Sequence, residues 1–116
     1  MKSKSCKAKA RVLQNAVADD LLKAYPELTA NDIQPALMGQ SGIDILLSSR
    51  ARDLFPYAIE CKNQEALNIW ECLNQAEVNG ELEKMVPLLV FKRNRTQTYV
   101  VMRWVDFLNL HTVVAR

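Results

Sequence analysis

Apolar positions along the chain change their spacing several times, and each change marks an element. Leu13, Val17, Leu21 and Ala24 recur at helical spacing, with Lys7, Arg11, Asn15 and Asp19 on the polar side. Pro26 ends that run, which predicts a helix over 7–24. From Tyr25 to Ser41 the pattern is irregular. Ile43-Asp-Ile-Leu-Leu47 then reads as a strand, followed by a polar connection over 48–53. After Pro56, Tyr57-Ala-Ile-Glu-Cys-Lys62 reads as a second strand. Ala66, Ile69, Trp70, Leu73 and Ala76 form one stripe, predicting a helix over 65–79 that Gly80 stops. Val86 to Lys92 and Thr98 to Arg103 read as strands joined by the basic turn Lys92-Arg-Asn-Arg95, and a short helix from Val105 to Leu110 closes the chain. The order α-β-β-α-β-β-α predicts one α/β domain over 1–116, a mixed four-stranded sheet flanked by helices, with a basic N-terminal arm at 1–9.

Composition fits one globular domain: 116 residues, 49% hydrophobic and 24% charged. A chain of this size buries roughly two-thirds of its unfolded surface, so its core needs no metal or disulfide staple. Cys6, Cys61 and Cys72 are odd in number and lack a CxxC pair, which excludes a zinc knuckle or disulfide framework and leaves packing as their expected use. The basic start is followed by no apolar signal-type region, and no apolar run approaches the ~20 residues of a membrane span. A cytoplasmic protein without a membrane partner is expected. Net charge is only +2, yet cations gather at Lys2, Lys4, Lys7, Lys9 and Arg11, and again at Lys92, Arg93 and Arg95. The N-terminal group reads equally as an arm on a duplex or a solubilising tail. His111 is the one histidine, so sites built on two or three imidazoles are excluded. His111, Trp70 and Trp104 are expected in the core. Gly39 and Gly42 are read either as a plain turn or as points where the backbone approaches a ligand closely.

What remains is carboxylate and lysine chemistry. Strand alternation sets Asp44 opposite in direction to Ile43 and Ile45, and puts Glu60 and Lys62 on one face. If the two strands pair antiparallel about a connection centred on Arg52, Asp44 lies across from Glu60. Like charges so placed repel. Two carboxylates and a backbone carbonyl suit a hard cation such as Mg²⁺, and Lys62 would then hold the attacking water or stabilise charge on phosphate. Chance supplies roughly one acidic-x-Lys triplet in such a composition, so an ordinary ion-pair cluster in a structural protein stays open beside the metal site.

Gly42-Ile-Asp44 and Ile59-Glu-Cys-Lys-Asn-Gln64 together resemble the PD-(D/E)xK nuclease superfamily. The longer string through Trp70, with Gln75-Ala-Glu77 and Pro87-Leu-Leu-Val-Phe-Lys-Arg-Asn-Arg95, is similar to small endonucleases of phages and prophages over residues 9–108. The resemblance implies a restriction-endonuclease-like core and a Mg²⁺- or Mn²⁺-dependent endodeoxyribonuclease. Asp44 and Glu60 become metal ligands with the Cys61 carbonyl, Lys62 the catalytic lysine, and Gln64 a phosphate or supporting contact. Many relatives carry a first-helix Glu; here Gln14 or Asp20 would take its place. Arg50, Arg52, Arg93 and Arg95 are expected on DNA, and Gln75 matches a motif position. Branched DNA or a Holliday junction is the implied substrate, in phage recombination within the host cytoplasm, by a homodimer. A catalytically inactive DNA-binding module of the same fold is the alternative.

Overall fold

Helix α1 runs over Lys4–Ala24 and buries Leu13, Gln14, Val17, Ala18 and Leu21 on one side. In the computed structural model, which describes residues 4–37 and 42–112, this helix begins earlier than the periodicity predicts. The basic segment is therefore, from Lys4 onward, the first turns of α1 rather than a separate arm; Lys2 lies outside the described residues.

The segment read as irregular holds strand β1 (Ile33–Pro35), which pairs antiparallel with β2 (Ile45–Leu47) in the register Ile33↔Leu47. Bonds from the Ala36 amide to the Asp44 carbonyl (2.8 Å) and from the Ser48 amide to the Asp32 carbonyl (2.9 Å) extend this ladder at both ends. Three residues ending in proline carry too little periodicity to announce a strand. The polar connection that follows is helix α2 (Ser49–Leu54), capped by Ser48, whose hydroxyl accepts from the Ala51 amide (3.1 Å) and donates to Asp32 (2.7 Å).

Strand β3 (Tyr57–Asn63) pairs parallel with β4 (Val86–Lys92), and β4 pairs antiparallel with β5 (Tyr99–Val101). A parallel pair needs a crossover, which is helix α3 (Ile69–Glu83). The five strands thus form a two-stranded and a three-stranded sheet, not one sheet of four. The hairpin expected between the Asp44 and Glu60 strands is absent: helix α2 occupies the connection, and the ladder of β2 is with β1. Ile59, Cys61, Leu88 and Val90 face the main core with α1, Ile45 and Leu47, while α3 covers the opposite face of β3 and β4.

Helix α3 is displaced along the chain relative to the predicted 65–79. Asn68 caps it, accepting from the Glu71 amide (3.1 Å), and its buried positions are Cys72, Ala76 and Gly80. Trp70 consequently stands 79% exposed, not in the core. Gly80 does not stop the helix. A Cβ there would lie 2.8 Å from the Met85 carbonyl oxygen and 3.3 Å from Pro87, so glycine lets α3 sit directly on β4. The helix ends at Lys84, in the left-handed region at φ 56°. Helix α4 (Trp104–Thr112) buries no residue, and Trp104 and His111 are exposed as well.

Alanine is the better helix former by up to about 1 kcal/mol, but here the clash with backbone should dominate. Gly80→Ala is expected to lower stability by about 1–3 kcal/mol in urea unfolding. A more stable variant would show that the α3–β4 approach is not tight.

Candidate active site

Asp44 lies between the two sheets and touches both. Its amide donates to the Ile59 carbonyl (2.9 Å), and its carboxylate Oδ2 accepts from the Cys61 amide (2.7 Å). These two bonds bracket Glu60, so Asp44 and Glu60 are neighbours as expected, though through a side chain bridging to β3 and not through a hairpin ladder. Gly42 enters this segment at φ 103° with nothing within 4 Å of a Cβ position. That backbone conformation favours glycine; Gly39 lies outside the described residues.

Glu60 is 3% exposed. Lys62, two residues on along the same face, places Nζ 3.5 Å from Glu60 Oε2 and keeps its side chain 24% exposed. Glu60 Oε1 is buried without a hydrogen-bond partner. Burial and the neighbouring Asp44 charge push the Glu60 pKa up to about 7, against the opposing pull of Lys62 and of the Asn79 carboxamide. Burial also raises Asp44, while the Cys61 amide and Lys62 lower it. The Cys61 thiol is held far above its ordinary range by burial and both carboxylates, so it stays a neutral packing group. The amide and carbonyl of one strand residue point to the same flank, which turns the Cys61 carbonyl toward the side occupied by Asp44.

Two carboxylates, one with an orphaned buried oxygen, and a main-chain carbonyl form an oxygen donor set that fits a hard divalent cation. Among the described residues no group of three or more His, Cys, Asp or Glu side chains could hold a metal. A bound ion would therefore draw its remaining ligands from water and substrate.

The other expected residues divide. Gln14 is buried on α1, which packs on β3; Asp20 is exposed and does not take that place. Gln64 follows β3, its amide donating to the Lys92 carbonyl (3.2 Å), and with Lys62 it borders a cavity of about 130 Å³. Arg93 and Arg95 are exposed on the β4–β5 turn, with Arg95 at φ 60°. Arg50 and Arg52 instead lie on α2 and serve the fold. Arg50 donates to the Glu27 carbonyl (2.7 Å), and Arg52 to Glu83 (2.9 Å) and the Leu47 carbonyl (3.3 Å). Gln75 is an exposed residue of α3.

Two residues were not anticipated. Asn79 faces Glu60 from α3, near enough to lower its pKa yet with Nδ2 short of a completed hydrogen bond. Asn63 is buried and donates to the Lys9 carbonyl (3.0 Å), tying the end of β3 to α1. The i, i+4 stripe of Cys72, Ala76 and Gly80 would have placed Asn79 inward.

A family model described as "Phage putative PDDEXK endonuclease" matches residues 16–114. No curated protein and no solved structure matches the chain. Among the described residues no helix is long and apolar enough to cross a membrane.

A carboxyl whose folded pKa lies above its unfolded value binds a proton more tightly in the native state. Its effect on stability is most favourable below pH 4.5 and is lost as pH rises to about 7. In EDTA, the wild-type protein should lose about 3 kcal/mol relative to Glu60→Gln across that window. Chemical denaturation at a series of pH values measures it; a difference that does not change with pH would contradict the buried, repelled state of Glu60.

Proposed function

Since the chain belongs to this phage PDDEXK endonuclease family, we propose that it is a metal-dependent endodeoxyribonuclease acting at Asp44, Glu60 and Lys62. The observation that carries the reading is the bracketing of Glu60 by Asp44: two carboxylates held together in a buried setting, with one oxygen left unpartnered. Asp44, Glu60 and the Cys61 carbonyl would hold Mg²⁺ or Mn²⁺. When bound, such an ion supplies Lewis-acid polarisation of the phosphate and lowers the pKa of a coordinated water. Water attacks phosphorus in line and gives up a proton to solvent, a P–O bond forms, the bond to the leaving oxygen breaks, and that oxygen takes a proton from solvent. Lys62 orients the water and offsets charge building on the phosphate oxygens. Gln64 and the turn cations Arg93 and Arg95 contact the strand backbone, which positions DNA without reading its sequence.

Contacts to the strand backbone favour DNA shape over sequence, so branched DNA and four-way junctions of phage recombination are the proposed substrates. Paired cuts need two sites, hence a homodimer. The α4 face supports this: Trp104, Phe107 and Leu110 are exposed on a helix that buries nothing. The resemblance implies a first-helix acid in many relatives, and the neutral, buried Gln14 on that helix favours the second reading, a module that binds DNA without cutting it.

Incubated with Mg²⁺ or Mn²⁺, the protein is expected to nick plasmid and cut four-way junctions, and EDTA should stop both. Asp44→Asn and Lys62→Ala should each lose about 100-fold or more in rate. Variants that cut as well as wild type would remove the site assignment; junctions bound but never cut would favour the binding module. In sedimentation, wild type should behave as a dimer and a Phe107→Glu, Leu110→Glu double variant as a monomer. A monomeric wild-type protein would sink the dimer.

A further inference from the structure

Strand register carries the row of the site lysine onward across the sheet. Lys62 of β3 pairs with Phe91 of β4, and Phe91 pairs with Tyr99 of β5. Paired residues project from the same face, so Lys62, Phe91 and Tyr99 stand side by side, with Tyr99 about 10 Å from Lys62 at the usual strand spacing. The two rings lie 6.1 Å apart between centroids, tilted by 37°, and Tyr99 is 54% exposed. Between this row and the start of α3 opens a cleft of about 430 Å³, lined by Leu67, Ile69, Phe91 and Tyr99 together with Gln64 and Arg93.

Gln64 also borders the small cavity beside Lys62, so one residue lines both the surroundings of the site lysine and the cleft. The Glu65 carboxylate at its edge is engaged, accepting from the Asn94 amide and thereby fixing the basic turn. The cleft falls in the ~300–1,000 Å³ range of small-ligand sites. Apolar, partly aromatic walls with a cation at one margin match the two faces of a nucleotide, a stacking base and a charged phosphate.

We infer that this cleft receives an unpaired nucleobase of the DNA strand whose phosphate lies at Asp44 and Glu60. The base stacks on Tyr99, with Arg93 on the adjoining phosphate. A base inside a duplex cannot enter without leaving its stack, whereas one at a branch point or in a single-stranded arm is already free. This inference rests on the nuclease reading for the identity of the strand, and it gives the proposed preference for branched DNA a physical cause.

The test uses the full chain carrying Asp44→Asn, which keeps an acceptor for the Cys61 amide while preventing cleavage. The probes are a paired duplex and a flayed duplex with 2-aminopurine in its unpaired arm, both in Mg²⁺. The flayed probe should bind more tightly than the duplex, with its fluorescence quenched. Adding Tyr99→Ala should weaken flayed-DNA binding by about 5- to 150-fold, the range expected for one stacked base, and abolish the quench. Adding Tyr99→Phe should preserve both, and an unchanged melting temperature shows that the variants are folded.

Equal binding of the two probes, no binding to either, or an unaffected Tyr99→Ala variant would overturn the inference. So would a Tyr99→Ala variant that changes only the oligomeric state, which would give the cleft to a second copy. Wild-type cleavage is scored separately. Cutting without Tyr99-dependent base binding removes the cleft alone, and base binding without cutting removes the nuclease reading alone.

Discussion

The bond from the Cys61 amide to the Asp44 carboxylate holds together two sheets that share no ladder. β2 spends its ladder on β1, and β3 spends one edge on β4. The other edge of β3 would be left with unsatisfied backbone groups at the molecule's centre, a costly state for buried amides. Asp44 resolves it with one main-chain and one side-chain contact. The same carboxylate is thereby fixed beside Glu60. The polar atom that completes the fold is also half of the proposed metal site.

Glu60 gains little from this arrangement by itself. It is buried, repelled by Asp44 and only partly compensated by Lys62 at 3.5 Å and by Asn79. A chain selected for stability alone would place an apolar residue there, as it does at the neighbouring Leu89 on the same face. Local rules are broken in this way where a site needs them broken. The close fit of α3 at Gly80, the packing of α1 on the other face and the Asn63 bond to Lys9 hold the strand rigid enough to keep the carboxylate in place.

Much of this was legible in the sequence, for reasons that can be traced to particular residues. The strand at 86–92 is apolar up to Lys92, the strand at 57–63 alternates Tyr57, Ile59 and Cys61 with Glu60 and Lys62, and Pro56 and the Lys92–Arg95 turn bound them, so both are read easily. The nearness of Asp44 and Glu60 was also readable, but its geometry was not. Nothing in the alternation of 43–47 tells that its Asp will bridge by its side chain while β1 takes the ladder. Helix α3 was misplaced because Ala66, Ile69 and Trp70 imitate an inward stripe. The Asn68-x-x-Glu71 cap was the better signal, and following it would have buried Gly80 and Asn79 and exposed Trp70. A six-residue helix has too few turns to show a period, so Arg50 and Arg52 look like turn cations in the sequence.

The most direct measurement is calorimetric titration of Mn²⁺ into the full chain at pH 6, in two buffers of different ionisation enthalpy. An ion held by Asp44 and Glu60 must displace the proton that burial and repulsion keep on Glu60. One ion per chain should bind with release of close to one proton, the release should fade toward pH 8, and Glu60→Gln should lose the binding. Binding that releases no proton at pH 6, or that survives unchanged in Glu60→Gln, would contradict a cation site at this pair of carboxylates.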